Sequence, residues 1–276
     1  MALNFERAPE VPLWKLFLKR TKKLGPGESI PRIEATARSL AGDLEAFRRV
    51  CGYARSNPLP LTWPALLAQP LQLAIFQDPA FPLPVTGIVH TRQQIRWRRP
   101  LQVDEPLSAR CVVEGHRVVR SGGEIDLQTT ILSGEEVVYE ATTTILSRAI
   151  RGHGEEKQPP PEKTFPWTRS TTWKVPADQG LRYAAVSGDY NPIHISWLGA
   201  RLFGFSRPIV HGWWTLGRAL AELDEYLPPS GRLEVRFVAP IPLPGKVSFC
   251  AGRQDGVLHF AVTGKKPCLV AEIHPL

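Results

Sequence analysis

Apolar residues recur at two spacings along the chain, and the change from one to the other divides it. Leu40, Leu44, Phe47 and Val50 repeat at helical spacing and predict a helix over about residues 33–55, stopped by Asn57-Pro58-Leu59-Pro60. A second apolar helix is expected over 65–76, with Pro64 suited to its first turn. After Pro84 the period becomes two. Strands are expected at 88–98, 107–119, 124–132 and 136–146, separated by turn signals at 100–106, 121–123 and 133–134. Two helices followed by an antiparallel meander make an α+β unit. Residues 1–32 are basic, broken by Pro and Gly, and carry one apolar patch at 11–18, which suggests an arm packed on a larger body.

Residues 151–164 are polar and proline-rich and read as a linker. Beyond them the plan repeats: a strand at 171–175, short helices at 177–185 and 196–203, and a main helix at 209–226 with Trp213, Leu216, Leu220 and Leu223 on one face. Strands follow at 232–238, 246–250, 257–262 and 268–273. The expected division is therefore 1–150, a first unit with its arm, then the linker 151–164, then a second unit over 165–276. An internal match supports it. Gln94-Ile95-Arg96-Trp97 and Pro100 align with Glu234-Val235-Arg236-Phe237 and Pro240 at a constant offset of 140 residues. A weaker match sets Asn57-Pro58 against Asn191-Pro192, which would put Arg55 and Pro60 where Asp189 and His194 stand.

Composition narrows the function. With 43% hydrophobic and 22% charged residues the chain is globular in balance. It shows no secretory signal and no apolar run long enough for a membrane span, so a cytoplasmic protein without a membrane partner is expected. Cys51, Cys111, Cys250 and Cys268 are scattered, which fits buried thiols in a reducing compartment rather than disulfides or zinc. The net charge of +8 points to an anionic partner. No basic stripe interleaved with aromatics accompanies it, so nucleic acid is not expected. The cluster Arg92, Arg96, Arg98 and Arg99 reads as a solvated strand face or an anion-binding edge.

The chemistry gathers in Ser187-Gly188-Asp189-Tyr190-Asn191-Pro192-Ile193-His194, too rich in Gly, Asn and Pro to stay helical. Arg207-Pro208-Ile209-Val210-His211-Gly212 follows, directly before the main helix. A carboxylate and an imidazole next to a helix N-terminus outline a site that moves protons and stabilises an oxyanion. These two motifs, with Arg236-Phe237 and Pro240, resemble the signature of the MaoC-like, or hydratase 2, family. The resemblance is strong over residues 183–245 and diffuse before 150. It implies a double hot-dog fold, α+β, in which two antiparallel sheets each wrap around a helix. It also implies a hydro-lyase: reversible (R)-specific hydration of trans-2-enoyl thioesters of coenzyme A or acyl carrier protein.

Carried over from the family pattern, Asp189 and His194 are catalytic, Gly212 supplies the oxyanion contact and Asn191 orients the loop. Asn191, His211, Trp213 and Arg207 are the candidate substrate contacts, although His211 also suits loop packing and Trp213 the core. Arg201, Arg207 and Arg236 are candidates for the phosphates of the thioester carrier. A metal ion on Asp189, His194 and His211 would lack its further ligands nearby, so neither metal nor cofactor is expected. The matched frame without the acid–base pair suggests a first half that has lost its chemistry and widens the acyl pocket. Two fused units could pair within one chain as a pseudo-dimer, or the chain could form a homodimer. The rival functions are a hot-dog thioesterase and a non-catalytic subunit that binds acyl carriers.

Overall fold

The computed structural model describes residues 1–10, 24, 28–84, 88–152 and 165–276, so the apolar patch at 11–18 and most of the expected linker lie outside it. In chain order the first half runs β1 (Ala2–Arg7), β2 (Ile33–Ser39), α1 (Leu44–Cys51), α2 (Trp63–Leu67), α3 (Gln69–Gln77), β3 (Val89–Trp97), β4 (Leu107–Val113), β5 (Arg117–Val119), β6 (Gly122–Ser133) and β7 (Glu136–Ser147). The second half runs β8 (Arg169–Val175), α4 (Gln179–Ser187), α5 (Pro192–Ile195), α6 (Trp197–Leu202), α7 (Gly212–Leu223), a 3-10 turn (Asp224–Tyr226), β9 (Gly231–Phe237), β10 (Gly245–Gln254), β11 (Val257–Thr263) and β12 (Pro267–Pro275).

The chain forms two compact units. One comprises Met1–Ala41, Leu67–Gln93 and Pro106–Phe165; the other comprises Gly42–Leu66, Gln94–Glu105 and Pro166–Leu276. Two pieces of the first 150 residues thus pack with the C-terminal segment, among them α1.

In the first unit β2, β4, β6 and β7 pair antiparallel, β5 pairs with β6, and β1 joins β2 in parallel. Helix α3 packs against β2 and β4. Its Leu71 and Ile75 are fully buried, as are Ile33, Cys111 and Val113 of those strands. Two expectations change here. The helix expected over 33–55 begins as a strand: Ile33, Ala35 and Ala37 are buried while the residues between them are partly exposed, a period of two that the helical spacing further on concealed. The helix proper starts after Asp43, whose Oδ1 accepts the Ala46 N–H at 2.8 Å. The strand expected over 107–119 breaks in two at Gly115, which takes a left-handed φ of 70°.

In the second unit β8, β10, β11, β12 and β9 pair antiparallel in that spatial order. Helix α7 contacts β11 and buries Leu216, Ala219, Leu220 and Leu223. Inward residues from each strand close the core: Trp173, Phe249, Phe260, Leu269 and Leu233. Trp173 stacks on Phe249 with centroids 5.4 Å apart. Helix α1 packs on α4 and α7. Both α1 and α4 end on a left-handed glycine, Gly52 at φ 81° and Gly188 at φ 73°. Aligned from these ends, Tyr53, and not Arg55 as the weaker sequence match would have it, holds the position after the cap that Asp189 holds in the second half.

Candidate active site

The loop after α4 is built by short side-chain bonds to its own backbone. Ser187 Oγ donates to the Tyr183 carbonyl at 2.9 Å and accepts the Asp189 N–H at 3.2 Å. Asp189 Oδ1 accepts the Asn191 N–H at 3.2 Å, and Asn191 Oδ1 accepts the Ile193 N–H at 3.3 Å, capping α5. Pro192 opens that helix at a position where a missing N–H is harmless. The result is a tight chain reversal that holds Asp189 and His194 on one side. Asn191 serves as the loop's hinge bond here, with its side-chain oxygen committed to the backbone.

The segment just before α7 fixes the two catalytic candidates. Ile209 donates its N–H to Ile193 and accepts at its carbonyl a bond of 2.8 Å from His194 Nδ1. A carbonyl only accepts, so His194 carries its proton on Nδ1 and turns a lone pair on Nε2 to the site. Burial pushes the His194 pKa below the ordinary 6.5, against the opposing pull of the Asp189 charge. His211 follows two residues on. It is 3% exposed, and its Nε2 donates to the Asp189 carbonyl at 2.9 Å and lies 3.8 Å from Asp189 Oδ2. The rings of His194 and His211 stack with centroids 3.7 Å apart. Burial and the neighbouring His194 push the His211 pKa down to about 4.

Among the described residues, Asp189, His194 and His211 form one group whose candidate ligand atoms lie within 4.8 Å of one another. Stacked imidazoles present their in-plane lone pairs side by side rather than to a common point. One nitrogen of each ring is already bonded to a backbone carbonyl. That arrangement suits gripping a water better than coordinating an ion.

Gly212 is the first residue of α7, and first-turn N–H groups have no partner within the helix. They lie at the positive end of its dipole. A Cβ at Gly212 would come within 3.0 Å of the Phe237 ring, so the absent side chain is what lets that ring pack against the start of α7. Trp213 is half-buried, and Trp214, 4% exposed, bonds through Nε1 to the Val50 carbonyl at 2.9 Å. Arg201, Arg207 and Arg236 are exposed, and the Arg201 guanidinium lies 4.1 Å above the centre of the Trp197 ring. Of the basic cluster at 92–99, Arg92 pairs with Glu124 and Arg99 with Glu105, each at 2.6 Å, which supports the structural reading for those two.

Known proteins share both this sequence and this fold. A "MaoC like domain" profile matches residues 155–266. The 3-hydroxyacyl-thioester dehydratase X of Mycobacterium tuberculosis is 32% identical over 234 residues, 83% of each chain. The chain belongs to the MaoC-like dehydratase family. A peroxisomal enoyl-CoA hydratase 2 of Arabidopsis thaliana is 31% identical over 51% of this chain and 50% of its own. The crystal structure of the mycobacterial HtdX superposes with a TM-score of 0.76 at 30% identity, covering 88% of this chain and all of that one. The double hot-dog architecture of this MaoC-like chain is therefore shared along most of its length.

Three contributors to the MaoC-like site were invisible as residue types. Ile209 acts through its carbonyl, which no side-chain pattern reports. Ser187 was read only as part of a motif. Tyr183, 1% exposed, packs its ring 5.0 Å from that of His211 and would pass for core.

Proposed function

We infer that this chain catalyses the reversible hydration of trans-2-enoyl thioesters, and the dehydration of the corresponding (R)-3-hydroxyacyl thioesters, at Asp189 and His194. The observation that carries the reading is the fixed pair: a carboxylate and a neutral imidazole, each tied through the backbone, with His194 Nε2 left as a free base. Asp189 and His194 Nε2 hold a water between them. The imidazole takes its proton as the oxygen attacks C3, and the pair returns a proton to C2 on the same face. General acid–base help of this kind is worth about 10²–10⁴-fold. Charge that builds on the thioester oxygen is met by the Gly212 N–H at the tip of α7, a contribution of about 3 kcal/mol in comparable sites.

A hydro-lyase of the hydratase 2 type agrees with the names of its relatives, which act on 3-hydroxyacyl thioesters and enoyl-CoA. A coenzyme A or acyl-carrier handle is anionic. The exposed Arg207 and the Trp197–Arg201 stack, close in sequence to His194, support such a handle. No helix among the described residues is long and apolar enough to cross a membrane. In the first half, Tyr53 stands in the place of Asp189, which supports a single catalytic centre per chain.

The test is hydration of a panel of trans-2-enoyl-CoA substrates, followed by loss of the conjugated-thioester absorbance. Asp189→Asn and His194→Gln are each expected to lower kcat/KM by at least about 10²-fold with the melting temperature unchanged. Near-native rates in both variants would remove the mechanism. Release of free thiol from a saturated acyl-CoA would instead indicate a hydrolase.

A further inference from the structure

The loop's own bonds bring Asp189 and the α5 residue His194 together, and contacts from elsewhere fix how they face each other. Two independent contacts do it, and both come from the segment that precedes α7. The Ile209 carbonyl fixes the rotation of the His194 ring. The His211 ring does two things at once: its Nε2 donates to the carbonyl of Asp189, and its face lies against His194 at 3.7 Å. We propose that His211 is a positioning residue, whose neutral Nε2–H tautomer clamps the Asp189 backbone while its ring sets the plane of His194. The proposal rests on the hydratase reading of the site, and it gives His211 a part other than substrate contact.

Several features of the ring agree with this role. His211 is sealed from solvent at 3% exposure, whereas the Asp189 side chain keeps 29%. Its Nδ1 is buried and without a hydrogen-bond partner, so the tautomer is decided from the Nε2 side, where only an acceptor is offered. Tyr183 covers the ring at 5.0 Å and leaves it little room to turn. The carbonyl of His211 accepts from both the N–H and the Oγ of Thr215, at 3.1 and 3.2 Å, which ties the residue to the first turn of α7. Through that tie the clamp on Asp189 and the oxyanion donor at Gly212 share one rigid segment. A charged ring would not serve. Two stacked imidazoles at 3.7 Å cannot readily both carry a charge, and the one that must take up a second proton during turnover is His194. Two opposite tautomers follow: Nε2–H on His211, Nδ1–H on His194.

Two arms test the proposal on the full-length protein. Nitrogen-15 NMR of histidine-labelled enzyme near neutral pH reads the tautomers without any substrate. The expected result is a neutral His211 protonated on Nε2 and a neutral His194 protonated on Nδ1. A His211 protonated on Nδ1, or carrying charge, overturns the proposal whether or not the enzyme hydrates enoyl thioesters. The kinetic arm compares two replacements. Gln brings an amide N–H near the Nε2 position, whereas Phe keeps the ring and loses the donor. His211→Phe is expected to lower kcat by about 10- to 100-fold with KM within about threefold, since slight misplacement of reacting groups can cost about 10²-fold. His211→Gln is expected to restore most of that loss. Equal rates in both variants, whether native-like or equally poor, would contradict the clamp. Absence of hydration by the native enzyme would instead refute the proposed function, leaving the NMR result to decide this inference.

Discussion

In the proposed mechanism the imidazole of His194 works because of where its proton sits. With Nδ1 bonded to the Ile209 carbonyl, the basic nitrogen is the one that faces the site. Burial also keeps the ring from protonating at its ordinary 6.5. In that mechanism neutrality is what keeps the proposed base ready. The pH profile of kcat/KM for hydration is expected to be flat through pH 7, with its acid limb centred below 6.5. An acid limb above 6.5 would mean that His194 is not the base, or that the free enzyme holds it in a wetter setting. Asp189 and His194 stand out in the sequence through their motif, and the structure brings their polar atoms within 4.8 Å of each other. The partner that chooses the tautomer was not legible, since any residue at position 209 would offer the same carbonyl.

Short elements packed closely set the site's geometry. Helix α4 approaches α5 at Gly180, where a Cβ would sit 1.9 Å from the His194 carbonyl oxygen. Nothing flexible can give way there, because the opposing atom is backbone. Gly180→Ala is expected to destabilise the protein by about 1–3 kcal/mol or more and to lower activity as the His194 backbone moves. A native melting temperature and native rate in that variant would show the two helices to be further apart. The sequence could place α7 from its apolar face, Trp213, Leu216, Leu220 and Leu223, although the helix begins at Gly212 rather than at 209. It misread 33–39, because the helical spacing of Leu40, Leu44 and Phe47 begins where strand β2 is ending. It also missed β1, since Ala2–Arg7 is too polar and too exposed to carry a strand pattern, and it pairs only along one edge. The sequential division at 150 could not anticipate that 42–66 and 94–105 pack with the C-terminal segment, because contact between distant segments leaves no periodic trace.

At the scale of the whole molecule, the half-buried His90 and the buried His211 link folding to pH. Burial pushes the His90 pKa down to about 4 and that of His211 to the same value. Above 6.5 each ring is neutral in both the folded and the unfolded chain, and its contribution is complete. As the pH falls from 6.5 toward 4 the unfolded chain takes up protons that the folded one refuses, so stability declines across that window. For His90 the loss is on the order of 3 kcal/mol at its limit. The urea midpoint is expected to fall between pH 7.5 and 4.5, and to fall less in His90→Gln. Equal falls in the two proteins would mean that His90 titrates normally in the folded state.

The most direct measurement is the rate at which the native protein removes the enoyl absorbance of a trans-2-enoyl-CoA, set beside Asp189→Asn and His194→Gln and with the configuration of the product determined. The expected result is an (R)-3-hydroxyacyl-CoA, formed by the native chain and at least about 10²-fold more slowly by either variant. An (S) product, or variants as fast as the native chain, would contradict it.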